Sequence, residues 1–111
     1  MAELATVARI TDGDTFRTAT GERIRIAAID APETMRNRGR CALEIVRGRA
    51  ARAQLRDLIE WRRVALTRTG RSYNRTVALV SVDGRDIGTE MVWRGAARHW
   101  RRYGPKPDWC R

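Results

Sequence analysis

The chain has 111 residues, enough for one domain, because hydrophobic cores rarely divide in chains of about 100 residues. Hydrophobic residues make up 42% of the sequence, and no apolar run approaches the roughly 18 residues that a membrane span needs. Lysine and arginine total 23 against 13 acidic residues, a net charge of +10 that attracts polyanions. These numbers predict one globular domain over residues 1–111, exclude a membrane partner and favour a nucleic acid.

The first third of the chain predicts three strands. Residues 4–10 are apolar and rich in strand formers, and Asp12-Gly13-Asp14 then supplies a turn before a short strand at 15–18. Residues 23–29 (RIRIAAI) alternate with the period of a half-buried strand, which Pro32 ends.

The middle of the chain predicts a basic loop followed by a helix. Residues 35–47 show little periodicity and contain the arginines of the 36–40 segment, which is typical of a mobile loop. An apolar stripe with helical spacing then predicts a helix from Gly48 to Trp61; its members are Ala51, Leu55, Leu58 and Ile59.

The last part of the chain predicts a hairpin and a short helix. Residues 63–69 and 76–82 alternate as strands, and Asp83-Gly84 is a two-residue hairpin turn. Asp86 is placed as an N-cap and Gly95 as the left-handed end of a short helix. The sequence therefore predicts a mainly β fold with helices (α+β): a five-stranded OB-type Greek-key barrel with a helix between strands 3 and 4 and a short second helix.

Four carboxylates lie in two short segments at predicted strand ends: Asp12, Asp14, Asp30 and Glu33. Acidic groups that converge repel one another unless a cation or arginines compensate them, and hard cations such as Ca²⁺ prefer oxygen ligands. Each segment alone is also a good turn or strand exit, so the inference of a metal site depends on the two segments together.

Three segments together resemble the staphylococcal nuclease (thermonuclease) family: residues 12–15 (DGDT), residues 25–33 (RIAAIDAPE) and residues 73–78 (YNRTVA). The resemblance covers about residues 7–103 and implies an OB-fold nuclease domain. It implies a metal-dependent phosphodiesterase, an endonuclease that cuts DNA and RNA, leaves 3′-phosphates and requires calcium.

The resemblance also assigns roles to individual residues. Asp14 and Asp30 match the family's calcium-binding carboxylates, with the backbone carbonyl of Ala31 as a third ligand. Glu33 matches the general base, or the group that orients the attacking water. The remaining matches are the phosphate-binding arginines Arg25 and Arg75 and the nucleotide-contacting Tyr73 and Tyr103.

Arg25 and Asp30 raise a geometric problem, since residues five apart in a regular strand point to opposite faces. A bend or bulge at residues 27–29 is therefore predicted.

The two cysteines, Cys41 and Cys110, are too far apart in sequence for a zinc or redox motif. One disulfide and two free thiols are equally compatible with this spacing. The first residues show no signal region, which fits either a cytoplasmic chain or one whose signal has been removed. The cysteine pair and the resemblance favour a secreted or periplasmic location, and we expect a monomer.

Two other functions remain as alternatives. Degenerate members of the family bind nucleic acid without cutting it, but they would be expected to have lost some of the catalytic positions that this chain keeps. A basic OB domain that binds single strands by stacking would need exposed aromatic residues on its strands, where the sequence offers Phe16. Trp61, Trp93 and Trp100 are predicted to pack in the core or on helices, and Trp109 to help dock the tail. His99 lies in no motif and receives no role.

Overall fold

The structure, a computed structural model, describes residues 2–111. The elements in chain order are β1 (Glu3–Asp12), β2 (Thr15–Thr18), β3 (Arg23–Ile26), β4 (Ile29–Asp30), α1 (Ala42–Ile59), β5 (Arg63–Ser72), β6 (Arg75–Val82), β7 (Arg85–Asp86), α2 (Ile87–Trp93) and β8 (Arg98–His99). All five predicted strands and both predicted helices are present, with shifted ends.

Five of the strands form a closed barrel in the order β3-β2-β1-β5-β6. Neighbours in this order are antiparallel, and β3 then pairs with β6 in parallel, which leaves no open edge between the first and last strands. The helix α1 lies between the third and fourth barrel strands. The predicted OB-type barrel is therefore confirmed, while β4 and β8 form a separate two-stranded ribbon.

The barrel is filled by apolar side chains that alternate along the strands. Val7, Ile10, Phe16 and Ile24 are almost completely buried. The helix α1 packs on β1 and adds Leu55 to the same core. The alternation leaves polar residues outside and at the barrel rim, where the site lies.

The predicted bend at residues 27–29 is confirmed. The chain leaves β3 at Ile26, turns, and re-enters a strand at Ile29. Ala28 has a φ of 67°, a left-handed conformation that side chains with a Cβ seldom adopt. The turn brings Arg25 and Asp30 to the same side of the chain. Their side chains approach within 3.7 Å.

The start of α1 corrects the prediction of a loop over residues 35–47. The helix begins at Ala42 rather than at Gly48, since Cys41 is its N-cap and accepts a hydrogen bond from the amide of Glu44. Gly48 lies inside the helix, where a Cβ would come within 2.0 Å of the Glu33 carbonyl oxygen. It is a site of close packing and not a start signal. Among residues 2–111, no helix combines the length and apolar character that a bilayer span requires.

The prediction of buried tryptophans is wrong for two of them. Trp61 is 70% exposed and Trp93 is 82% exposed. Trp61 follows the end of α1 with a φ of 62°, so its side chain leaves the helix face that packs on the barrel. Trp93 ends α2, whose buried face is made by Ile87 and Met91. The predicted N-cap at Asp86 and left-handed Gly95 are confirmed, with Asp86 accepting from the amide of Thr89.

Candidate active site

Three charged side chains from different elements meet at one rim of the barrel. Asp14 comes from the β1–β2 turn, Arg25 from β3 and Asp30 from β4. An Arg25 guanidinium nitrogen lies 3.6 Å from Asp14 Oδ2 and 3.7 Å from Asp30 Oδ1. All three residues are buried, with at most 8% of their surface exposed. Arg25 thus lies between two carboxylates that would otherwise repel each other.

Hydrogen bonds fix both carboxylates. The backbone N–H of Ala31 donates to Asp14 Oδ2 at 3.0 Å, and the hydroxyl of Thr15 donates to Asp14 Oδ1 at 2.9 Å. The indole Nε1–H of Trp109 donates to Asp30 Oδ2 at 3.0 Å. A buried carboxylate held in this way has few orientations left.

Glu33 lies on the loop that follows β4, beside the two aspartates. It lines a small polar cavity of about 120 Å³ together with Asp30, Ala31, Arg38, Arg40, Glu44, Lys106 and Pro107. The buried carboxylate of Glu44, on α1, accepts hydrogen bonds from the amides of Glu33 (3.2 Å) and Arg40 (2.9 Å). The first turn of α1 therefore holds the backbone of the loop that carries Glu33.

A larger groove of about 850 Å³ has Arg25 in its lining. Arg75, Tyr73 and Tyr103 line it, and Lys106 borders both cavities. Tyr73 and Tyr103 are 94% and 95% exposed, so their rings are free to meet a ligand. The sequence-predicted phosphate and nucleotide residues therefore share one groove.

Trp100 forms a wall of this groove and carries two cations. The guanidinium of Arg25 lies 5.7 Å from the centre of its ring, and the ammonium of Lys106 lies 5.4 Å from it. Cation–π contact at these distances is attractive and orients the guanidinium. Trp100 is thus a groove residue and does not belong to the barrel core, which corrects its predicted place.

Burial and neighbouring charges shift three pKa values in the site. Burial raises the pKa of Asp30 most, and Asp14 adds to the rise. Burial also raises the pKa of Glu33, with further contributions from Asp12 and Asp14. The pKa of Arg75 is lowered, mainly by burial and then by the charge of Arg25. Such shifts are typical of functional sites, and they show that these groups lie within each other's fields.

The oxygen ligands and charges at this rim suit a hard cation such as Ca²⁺. Asp14 and Asp30 supply carboxylate oxygens, and a divalent cation there would offset the charge of Asp14, which adds to the rise that burial causes in the pKa of Asp30. No group of three or more His, Cys, Asp or Glu side chains suited to a metal occurs within residues 2–111. A cation would therefore need two carboxylates, a backbone carbonyl such as that of Ala31, and water to complete its shell.

Two comparisons place the chain among known proteins. The sequence profile described as "Staphylococcal nuclease homologue" matches residues 23–109. The chain belongs to this family. The match confirms the family that the three sequence segments predict. The chain is also 33% identical over 106 residues to a protein of Haemophilus influenzae (strain ATCC 51907 / DSM 11121 / KW20 / Rd) called "Uncharacterized endonuclease". The match covers 91% of this chain and 54% of that protein, so the chain spans about half the length of its relative.

Three residues of this staphylococcal nuclease homologue contact or line the site, although the sequence did not predict them as site residues. Glu44 is three residues after the N-cap, the spacing of a capping box, but cysteine is an unusual cap and hid the signal. Trp100 and Trp109 belong to an irregular tail in which no periodicity predicts a partner. Their contacts depend on the tertiary path of that tail.

Proposed function

We propose that the chain is a calcium-dependent nuclease that hydrolyses phosphodiester bonds in DNA and RNA and leaves 3′-phosphates. The observation that carries this proposal is that Arg25 and Arg75 line one groove next to two buried carboxylates, while Glu33 lines a smaller cavity that shares Lys106 with the groove. Family membership and the name of the Haemophilus relative support it.

Each side chain has a task that follows from its chemistry. Arg25 and Arg75 present planar forks that bind two phosphate oxygens and stabilise the charge that grows on them in the transition state. Arg25 is held in place by Asp14, Asp30 and Trp100, so little reorganisation is needed when substrate arrives.

Glu33 is the proposed base. Its carboxylate takes a proton from the attacking water, the water oxygen bonds to phosphorus, the bond from phosphorus to the 5′ oxygen breaks, and the leaving 5′ oxygen takes up a proton from Arg75 or from water. The raised pKa of Glu33 makes it a better proton acceptor than an exposed glutamate. A bound Ca²⁺, held by Asp14, Asp30 and the Ala31 carbonyl, would polarise a phosphate oxygen.

Substrate binding is assigned to the exposed part of the groove. We assign nucleotide contact to Tyr73 and Tyr103 because both line the groove, and the net charge of +10 attracts the phosphate backbone. DNA and RNA both carry the groups that these residues recognise.

The non-catalytic module is the second candidate, and the retained residues argue against it. Binding by stacking on the strands is disfavoured, because Phe16 is fully buried in the barrel.

The decisive experiment incubates the purified chain with single-stranded DNA and with RNA, first with added Ca²⁺ and then with excess chelator. We expect fragments with 3′-phosphate ends that appear with Ca²⁺ and stop with chelator. A Glu33→Gln preparation, purified identically, controls for contaminating nucleases. Tight binding without cleavage would instead support the non-catalytic module.

A further inference from the structure

The indole of Trp109 lies against the carboxylate of Asp30. Trp109 is 4% exposed, and its Nε1–H donates to Asp30 Oδ2 at 3.0 Å. The other oxygen, Oδ1, faces Arg25 at 3.7 Å and Lys106 at 3.9 Å. An indole can only donate, so it fixes which oxygen faces Trp109 and which faces the two cations.

Three contacts, which we call the tail clamp, hold Trp109 there. A disulfide joins the neighbouring Cys110 to Cys41, the N-cap of α1. Arg47 donates to the Trp109 carbonyl oxygen at 2.8 Å. The guanidinium of Arg98 lies 4.5 Å from the centre of the indole ring. The last residues of the chain are thus tied to α1 and to β8.

Asp30 is also paired through its backbone with Arg98, in the β4–β8 ribbon. The peptide of Asp30 and its side chain are therefore both held by the region that follows α2.

We propose that Trp109 is a positioning residue for Asp30, and that the tail clamp keeps its indole in place. The inference rests on the proposed function, in which Asp30 acts at the reaction centre. Trp109 itself does not touch the substrate; it acts through the orientation of one carboxylate. Groups that orient a functional carboxylate in this way typically change affinity or activity about 10- to 100-fold when removed.

The test uses Trp109→Phe in the full chain, because phenylalanine keeps an aromatic ring and loses the N–H donor. We expect kcat to fall about 10-fold or more while KM for the oligonucleotide stays within about twofold. Trp93→Phe, the same change at an exposed tryptophan, is the matched control and should leave both constants unchanged. A folded Trp109→Phe protein with wild-type kcat overturns the proposal.

The clamp is tested by a double-mutant cycle. Cys41→Ser/Cys110→Ser removes the disulfide and leaves Trp109 and Asp30 intact, so kcat should fall less than in Trp109→Phe. If the disulfide acts through Trp109, adding Trp109→Phe to this background should lower kcat by a smaller factor than in the wild type. Losses that simply multiply overturn the role of the disulfide in the clamp.

A third measurement separates failure of this inference from failure of the proposed function. The carboxyl carbon of Asp30 is followed by NMR in the calcium-free protein and assigned by its loss in Asp30→Asn. We expect its signal to move in Trp109→Phe and to stay in Trp93→Phe. An inactive wild-type chain would refute the nuclease proposal, whereas an Asp30 signal unmoved by Trp109→Phe would refute the positioning role whatever the activity.

Discussion

Arg25 is 7% exposed, and two carboxylates rather than solvent surround its charge. Removing three charged groups from water is expensive, and a well-packed apolar cluster would often be at least as stable. Such an arrangement is therefore weak evidence for stability and better evidence for a site. The raised pKa of Glu33, which follows from burial and then from the charges of Asp12 and Asp14, is likewise better evidence for a site than for stability.

The residue scale gives a first prediction at Arg75. Arg75→Ala should lower kcat/KM by about 10²-fold or more, because a donor to the developing phosphate charge is lost. Arg75→Lys should recover only part of the activity, since lysine restores the charge without the fork. Arg17→Ala, which removes the same charge from an exposed position on β2, should change kcat/KM little. Full activity in Arg75→Lys would contradict a bidentate role.

Glu33→Gln is the second prediction. The amide keeps nearly the same shape but cannot accept the proton of the attacking water, so kcat should fall by about 10²-fold or more. Circular dichroism should show an unchanged fold. Near-normal turnover in this folded variant would remove Glu33 as the base.

Glu22 gives a prediction about stability at acidic pH. Hydrogen bonds from Arg68 and then Thr76 lower the pKa of Glu22 to about 2, from 4.5. Because the folded pKa lies below the unfolded one, the contribution is complete above pH 4.5 and is lost as the pH falls towards 2. With the side chain 31% exposed, solvent screening reduces it to about 1 kcal/mol.

Urea unfolding of Glu22→Gln and wild type at several pH values measures this contribution. We expect a difference in unfolding free energy of about 1 kcal/mol at neutral pH that vanishes near the lowered pKa. A difference that is the same at every pH would mean that the loss comes from packing and not from the charge.

At the scale of elements, α1 does more than cover the barrel. Its first turn supplies Glu44, which holds the amides of Glu33 and Arg40, and Gly48 lets the Glu33 segment lie directly on the helix. The buried polar contacts of this turn would be unsatisfied in a loop. The helix therefore positions the proposed base through contacts with its backbone.

Gly48→Ala tests this placement. Alanine is favoured over glycine in a helix by about 1 kcal/mol, yet its Cβ would lie 2.0 Å from the Glu33 carbonyl oxygen. We expect the free energy of unfolding to fall by about 1–3 kcal/mol despite the better propensity, and kcat to fall as the loop moves. The control is Ala50→Gly on the exposed face of α1, which should lower stability by about 1 kcal/mol without affecting kcat. A Gly48→Ala variant that is more stable and fully active would contradict the close packing.

At the scale of the whole molecule, one covalent link joins distant parts of the chain. Cys41 and Cys110 are 69 residues apart and lie with Cα atoms at 6.1 Å. The link closes a loop that contains both helices and two of the five barrel strands, β5 and β6. It restricts the unfolded chain far more than it restricts the folded one.

Loss of this link is the last prediction. Cys41→Ser/Cys110→Ser should lower the free energy of unfolding by about 2–4 kcal/mol, and we expect denaturant unfolding to show it directly. Titration of the wild type in non-reducing denaturant should find no free thiol. Two titratable thiols, or equal stability of the two proteins, would contradict a structural disulfide.

Much of the fold could be predicted because its signals are local. The strand at Arg23–Ile26, the Asp83-Gly84 turn and the Asp86 cap depend on neighbours within a few residues, and each occurs where the sequence predicts it, although Arg25 is buried and not exposed as alternation predicts. Even the turn at Ala28 followed from local reasoning, since Arg25 and Asp30 could not otherwise share a face. The family was also readable, because its motifs are short and contiguous.

The tertiary structure alone decided what long-range packing controls. The start of α1 depends on a cap by Cys41 and on Gly48 lying against Glu33, neither of which shows as periodicity. Trp93 faces solvent while Trp109 reaches Asp30 across 79 positions of sequence, although both are large apolar residues. Local sequence sets the direction of a side chain within its element. The partner that the side chain contacts depends on the tertiary structure, which brings distant parts of the chain together around the closed barrel.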